Sequence, residues 1–204
     1  EILKKKSKKI YYFESKKRAE KIDRKYFKIN YDYIFCFRSY YILKKNLLKK
    51  VKIAAINFHP GTPEYRGTGC VNYAIYRNSK IYGCTAHLIN EKTDNGKIIN
   101  VKKFKIDKKD NVERLLKKTH KKMFNQAFFI INGINRKKNN LDKWIKKNKK
   151  IKWSKKIKKL RDLNKFYEIK KNIKKKIFLN KIRATYTSKF KPYIILHGRK
   201  FILE

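Results

Sequence analysis

The sequence predicts an α/β protein: a mostly parallel sheet flanked by helices, with a small helix-plus-hairpin appendage at its C-terminal end. Three observations predict it. The apolar runs YIFCF (residues 33–37) and VKIAAIN (51–57) have the length and apolar content of strands buried on both faces. Between them, SYYILKKNLLKK (39–50) places Ile42, Leu43, Leu47 and Leu48 on one stripe at helical spacing. Strand, helix, strand in that order is the pattern of a parallel βαβ unit. Third, NVERLLKKTHKKMFNQAFFIINGI (111–134) is a long amphipathic helix, with Val112, Leu115, Leu116, Met123, Phe124, Ala127 and Ile130 on its apolar face.

The remaining elements follow in order. KKIYYFES (8–15) reads as a short strand and KKRAEKIDRKYF (16–27) as helix or loop. VNYAIYRNSK (71–80) reads as a short helix. YGCTAHLIN (82–90) alternates as a strand, with Cys84, Ala86 and Leu88 on one face. A turn at Asp94-Asn95-Gly96 precedes another strand within 97–106. From 135 to 176 the chain is strongly basic and reads as a linker with a marginal helix around WSKKIKKLRDLN (153–164). YIILHGRKFIL (193–203) is a hairpin signal, two apolar runs around His197-Gly198. The expected organisation is a catalytic domain at 1–134, a basic linker at 135–176 and a hairpin appendage at 177–204.

The composition narrows the class. The formal charge is +44, from 59 basic and 15 acidic residues. Taken alone, that predicts a nucleic acid or another polyanion as partner. Lys far outnumbers Arg, however, and Ile, Asn, Tyr and Phe are also abundant. That joint bias is what an AT-rich genome imposes, and it is the first reading of the charge. Three cysteines, Cys36, Cys70 and Cys84, without CxxC spacing predict reduced thiols in a cytoplasmic protein rather than a disulfide or metal framework. No run reaches membrane-spanning length, and the first residues lack the apolar stretch of a signal peptide.

The unusual residues gather in INFHPGTPEYRGTGC (56–70). Asn57 and His59 stand two apart at the carboxyl end of a predicted strand, where ligands collect in α/β sheets. Each alone has a plain reading, Asn as a turn closer and His as a satisfied polar residue. Asp94 in TDNGK alone is a turn residue. His87 reads as facing into the sheet, His120 as lying on the polar side of its helix, and His197 as part of the hairpin turn. None has metal-ligand spacing, so no metal is expected.

Taken together, INFHPGTPEYRGTGC and YGCTAHLINEKTDNGKII (82–99) resemble the folate-dependent formyltransferase family. The shared elements are Asn-x-His, a Pro-x-Tyr-Arg-Gly loop and an Asp-x-Gly turn, in that order. The resemblance covers roughly residues 32–105 and implies a Rossmann-like formyltransferase fold, N-terminally short because only 56 residues precede Asn57. It implies 10-formyltetrahydrofolate as formyl donor and Asn57, His59 and Asp94 as catalytic groups. The donor is expected along Tyr40, Tyr41, Ile42 and Leu43 and along Asn90, Glu91 and Asp94. Pro63, Tyr65, Arg66 and Gly67 are expected to form the substrate loop. The short tail is similar to that of sugar-type members, which implies a homodimer and a small amine acceptor, an amino-sugar nucleotide. The basic linker favours methionyl-tRNA instead, and an inactive RNA-binding homologue is the alternative outside catalysis.

Overall fold

The structure is a computed structural model, and it describes residues 9–17, 20–137 and 140–204. A four-stranded sheet has the order β1-β2-β3-β4, with β1 at Tyr31–Phe37, β2 at Val51–His59, β3 at Ile81–Leu88 and β4 at Ile98–Lys105. A separate hairpin pairs β5, Tyr193–Leu196, with β6, Arg199–Ile202. Six helices among the described residues complete the chain: α1 at Lys45–Leu48, α2 at Cys70–Tyr76, α3 at Val112–Arg136, α4 at Asn140–Lys147, α5 at Leu160–Phe166 and α6 at Lys175–Thr185. The expected α/β class with flanking helices holds. The sheet is mixed: β1 and β2 run parallel, whereas β2 and β3 run antiparallel. No helix among the described residues is long and apolar enough to cross a membrane.

The chain divides into two compact units. The first comprises the described residues within 1–59, 84–102 and 122–152. Its core is built by strand alternation. The even positions of β2, Ala54, Ile56 and Phe58, meet Cys84 and Ala86 of β3 and Ile99 of β4. Met123, Ala127, Ile130 and Ile134 of α3, spaced by three or four residues, cover them. The opposite parity of β2 begins another cluster, in which Ala55 packs with Leu43 and Leu47. Leu47 is 2% exposed, a burial that contributes about 2 kcal/mol.

Four readings change here. Residues 9–15 form no strand; their rings dock instead, Tyr11 edge-on to Tyr31 at 5.9 Å and Phe13 edge-on to Tyr41 at 5.9 Å. Arg18 and Ala19, in the segment read as helix or loop, lie outside the described residues, and Arg24–Lys28 forms a 3-10 turn. β1 has apolar packing on both faces, Tyr33 and Phe35 on one cluster and Ile34 and Cys36 on another, but at the sheet edge it is only half-buried. The helix read over 39–50 contracts to the four residues of α1, leaving Ile42 71% exposed.

The fourth change concerns the basic stretch read as a linker. Within it, α4 packs Leu141 into the core of the first unit and lays Trp144 over Gly133. A Cβ on Gly133 would stand 2.4 Å from the indole, so only glycine admits this contact. Asn148 Nδ2 donates to the Ile99 carbonyl at 2.8 Å, and Asn140 Nδ2 to that of Gly133 at 2.8 Å.

The second unit comprises residues 60–83, 103–121 and 153–204. Its core joins Cys70, Val71, Ala74 and Ile75 of α2 to Tyr82, Val112, Leu115 and Ala184. Asn72 Nδ2 donates to the Ala184 carbonyl at 2.8 Å, fixing α2 to α6. The hairpin turns at His197-Gly198, both at positive φ (46° and 74°), as a two-residue turn between twisted strands requires.

Candidate active site

Strand register places the chemistry. Asn57 and His59 occupy odd positions of β2, opposite in phase to the core residues Ile56 and Phe58. Antiparallel pairing sets Asn57 against His87 and His59 against Thr85, so all four share one sheet face. β2 extends two residues beyond the predicted strand end, which puts both Asn57 and His59 within the ladder.

Asp94 reaches this face from the loop after β3. The loop is folded back at both ends: Ile89 N donates to Ala55 O at 2.8 Å, and Leu88 N to Lys97 O at 2.9 Å. Asp94 itself adopts φ 45°, a left-handed conformation that Asp tolerates in turns. Its carboxylate is 9% exposed and lies between two imidazoles. Oδ2 is 3.4 Å from His59 Nδ1, and Oδ1 is 3.5 Å from His87 Nε2. His59 and His87 are themselves 3% and 2% exposed. Asn57 Nδ2 lies 3.1 Å from His87 Nε2.

The three residues named from sequence as catalytic are thus gathered within the first unit, and His87 joins them. The sequence reading of His87 missed this, because it took the residue as facing into the sheet. The usable signal was its phase: His87 lies an odd number of residues from the core positions Cys84, Ala86 and Leu88.

The segments expected to hold a donor also lie in this unit. Leu43 and Ile89 share one apolar cluster, and Lys45 pairs with Glu91 at 3.4 Å. Tyr40 is 51% exposed. Ile42, two residues further on, is exposed as well. Ser15 Oγ takes the N–H of Tyr40 at 2.8 Å, and Ser39 Oγ that of Tyr41 at 3.0 Å. Burial raises the Tyr41 phenol above its ordinary pKa, which keeps it neutral. Asn90 Oδ1 accepts from Lys92 N at 3.1 Å, closing its own turn.

Pro63, Tyr65, Arg66 and Gly67 belong to the second unit. There they hold the chain at 154–158. The Pro63 carbonyl accepts from Ser154 N at 2.9 Å, and that of Arg66 from Lys158 N at 3.0 Å. Gly67, at φ 91°, lies so close to the Lys158 carbonyl that a Cβ would stand 2.2 Å from it. Tyr65 packs on Tyr82, ring centroids 5.6 Å apart, and its hydroxyl bonds Ser79. Arg66, Arg77, Lys156 and Lys158 line a cavity of about 70 Å³ together with Glu64. Among the described residues, no group of three or more His, Cys, Asp or Glu is arranged to hold a metal ion.

The profile of the family described as formyl transferase matches residues 1–129. The chain is 36% identical over 110 residues to methionyl-tRNA formyltransferase of Ehrlichia ruminantium (strain Gardel), a match covering 53% of this chain and 36% of that relative. The chain thus spans about a third of the length of the curated relatives it matches. In fold it is similar to a 4-N formyltransferase from Francisella tularensis, at 24% identity and a TM-score of 0.68, covering 85% of this chain and 69% of that one. It is similar also to an N-formyltransferase from Helicobacter canadensis, solved with folinic acid and dTDP-3-aminofucose. That likeness has a TM-score of 0.58 at 21% identity and covers 80% of this chain and 58% of that one.

Proposed function

The chain belongs to the formyl transferase family, and from that premise we propose that it moves a formyl group from 10-formyltetrahydrofolate to the nitrogen of an amine. The observation that carries the proposal is the buried Asp94 carboxylate beside His59, with Asn57 on the same strand face.

Each residue has a distinct task. When an amine adds to the formyl carbon, negative charge develops on the formyl oxygen, and the Asn57 amide donates a hydrogen bond to it. The attacking nitrogen must shed a proton, and the nitrogen of the departing donor must gain one. His59 takes the first and supplies the second through Nε2, while Asp94 faces Nδ1. That carboxylate fixes the Nδ1–H tautomer and stabilises the imidazolium as it forms. Burial of His59 and Asp94 strengthens their interaction by excluding water. The donor lies along Tyr40, Tyr41, Ile42 and Leu43 and along Asn90, Glu91 and Asp94.

The acceptor we propose first is an amino-sugar nucleotide. The Helicobacter canadensis protein of the same fold was solved with such a sugar, and residues 193–202 form a hairpin of the kind that the sugar-type resemblance implies. In this reading two chains associate through that hairpin, where Phe201 and Ile202 are exposed. The identity to methionyl-tRNA formyltransferase favours a second reading, in which charged initiator tRNA is the acceptor.

The test is release of tetrahydrofolate from 10-formyltetrahydrofolate on mixing the protein with amino-sugar nucleotides or with methionyl-tRNA. Formyl transfer to one amino-sugar nucleotide is the expected result. Transfer to methionyl-tRNA alone would select the second reading. Failure with every acceptor, together with tight, salt-sensitive RNA binding, would overturn both.

A further inference from the structure

His87 stands inside the constellation yet has no part in the transfer just described. Its two ring nitrogens are engaged differently. Nδ1 lies 2.7 Å from the Leu88 carbonyl oxygen, which can only accept, so Nδ1 carries a proton. In the neutral ring Nε2 is therefore an acceptor. Asn57 Nδ2, which can only donate, lies 3.1 Å from it. Both contacts are satisfied together by one assignment of protons. The pairing is no accident of side-chain reach, because Asn57 and His87 are direct partners across the β2–β3 ladder.

We infer that His87 is a positioning residue for Asn57: by accepting one N–H of the Asn57 amide, it fixes the amide's orientation and aims the second N–H at the oxygen on which charge develops. The inference rests on the formyl-transfer reading for the second half of that statement; the first half stands on the geometry alone. Asp94 sharpens the consequence. Its Oδ1 is 3.5 Å from the same Nε2. A proton placed on Nε2 would face Asp94 favourably, but it would confront the NH₂ of Asn57 with another donor and turn the amide over. The neutral Nδ1–H tautomer is the state in which Asn57 is held for catalysis.

Two measurements test this. Long-range ¹⁵N–¹H spectra of the wild-type imidazoles need neither activity nor a variant. At neutral pH they should show the His87 ring protonated at Nδ1 and bare at Nε2; a proton on Nε2 would overturn the proposal. The kinetic arm compares His87→Leu, which has no acceptor, with His87→Gln, whose Oε1 reaches the place of Nε2. We expect His87→Leu to lower kcat by about 10- to 100-fold, part of the effect of losing an oxyanion donor. KM for the donor should stay within about twofold, and His87→Gln should regain most of the rate. In an Asn57→Ala background, His87→Leu should cost less than about twofold more, because a residue acting only through Asn57 has nothing left to position. Full additivity, or a His87→Gln rate as low as that of His87→Leu, would sink the proposal. Asn57→Ala running at the wild-type rate would instead sink the role of Asn57, and an inactive wild type the formyl-transfer reading, with the ring spectra still deciding the hydrogen bond.

Discussion

Gly96 is pressed against the carbonyl of Leu88 so closely that a Cβ at this position would stand 1.7 Å from the oxygen. No side chain fits there without moving backbone. The contact closes the loop that carries Asp94 onto the end of β3. Gly96→Ala should therefore displace Asp94 from between His59 and His87. On the proposed function, the expected outcome is a loss of formyl transfer of at least about tenfold, with about 1–3 kcal/mol lost in urea unfolding. Asn95→Ala is the control and should leave the rate within about twofold.

Asp94→Asn keeps the shape and removes the charge. With His59 as the proposed general base, it should lower kcat by about 10²- to 10³-fold, as loss of a partner that orients and charges such a base does. The circular dichroism spectrum should be unchanged. Wild-type turnover in this variant would show that His59 needs no carboxylate.

Trp144 seals α3 against α4 through Gly133 and Phe129, the latter with ring centroids 5.2 Å apart. Trp144→Ala should cost about 2–3 kcal/mol, below the range for a fully buried indole because Trp144 is only half-buried. A loss under 0.5 kcal/mol, on that same scale, would mean that the α3–α4 contact contributes little in solution.

Cys84 reports on the core through its titration. Burial pushes its thiol up to about 12, against a smaller opposing pull from Lys102 and Lys122. The folded state therefore holds the proton more tightly than the unfolded chain. The associated stability is complete below about pH 8.5, the ordinary cysteine range, and is lost as pH rises toward 12. Cys84→Ala should flatten the fall of stability over that window relative to wild type. Native-state labelling of Cys84 at pH 8 should be no faster than unfolding permits. Rapid labelling would contradict the burial.

Local pattern made much of this fold readable. The apolar run VKIAAIN and the alternation of YGCTAHLIN gave β2 and β3, and helical spacing gave α3 within two residues of its ends. Asn57, His59 and Asp94 were singled out by the resemblance of INFHPGTPEYRGTGC and TDNGK to the formyltransferase family, and the structure brings them together. The misses were of two physical kinds. α4 was hidden because eight residues with only Leu141, Trp144 and Ile145 as apolar markers look like solvated chain until Gly133 supplies a seat for the indole. α6 was masked in the same way by its lysines. His87 was hidden because its neighbours are set by the register between strands, and that register is decided 30 residues away at Asn57. The antiparallel run of β3 was missed for the same reason: direction in a sheet depends on pairing, and no single strand announces it.

The alternation at the end of β2, from Ile56 to His59, limits how the gene can vary in length. Even positions from Ala54 to Phe58 are oily, and the odd ones at Asn57 and His59 are chemical. Inserting or deleting one codon between Ile53 and Asn57 would turn the strand over, sending the amide and imidazole into the hydrocarbon layer and the phenyl ring of Phe58 out toward the reacting groups. Removing two codons would restore the phase but draw Asn57 away from its partner at His87. The strand can therefore change letters but not spacing, and viable indels should fall in the connecting loops, a pattern that a deep insertion–deletion library would expose directly.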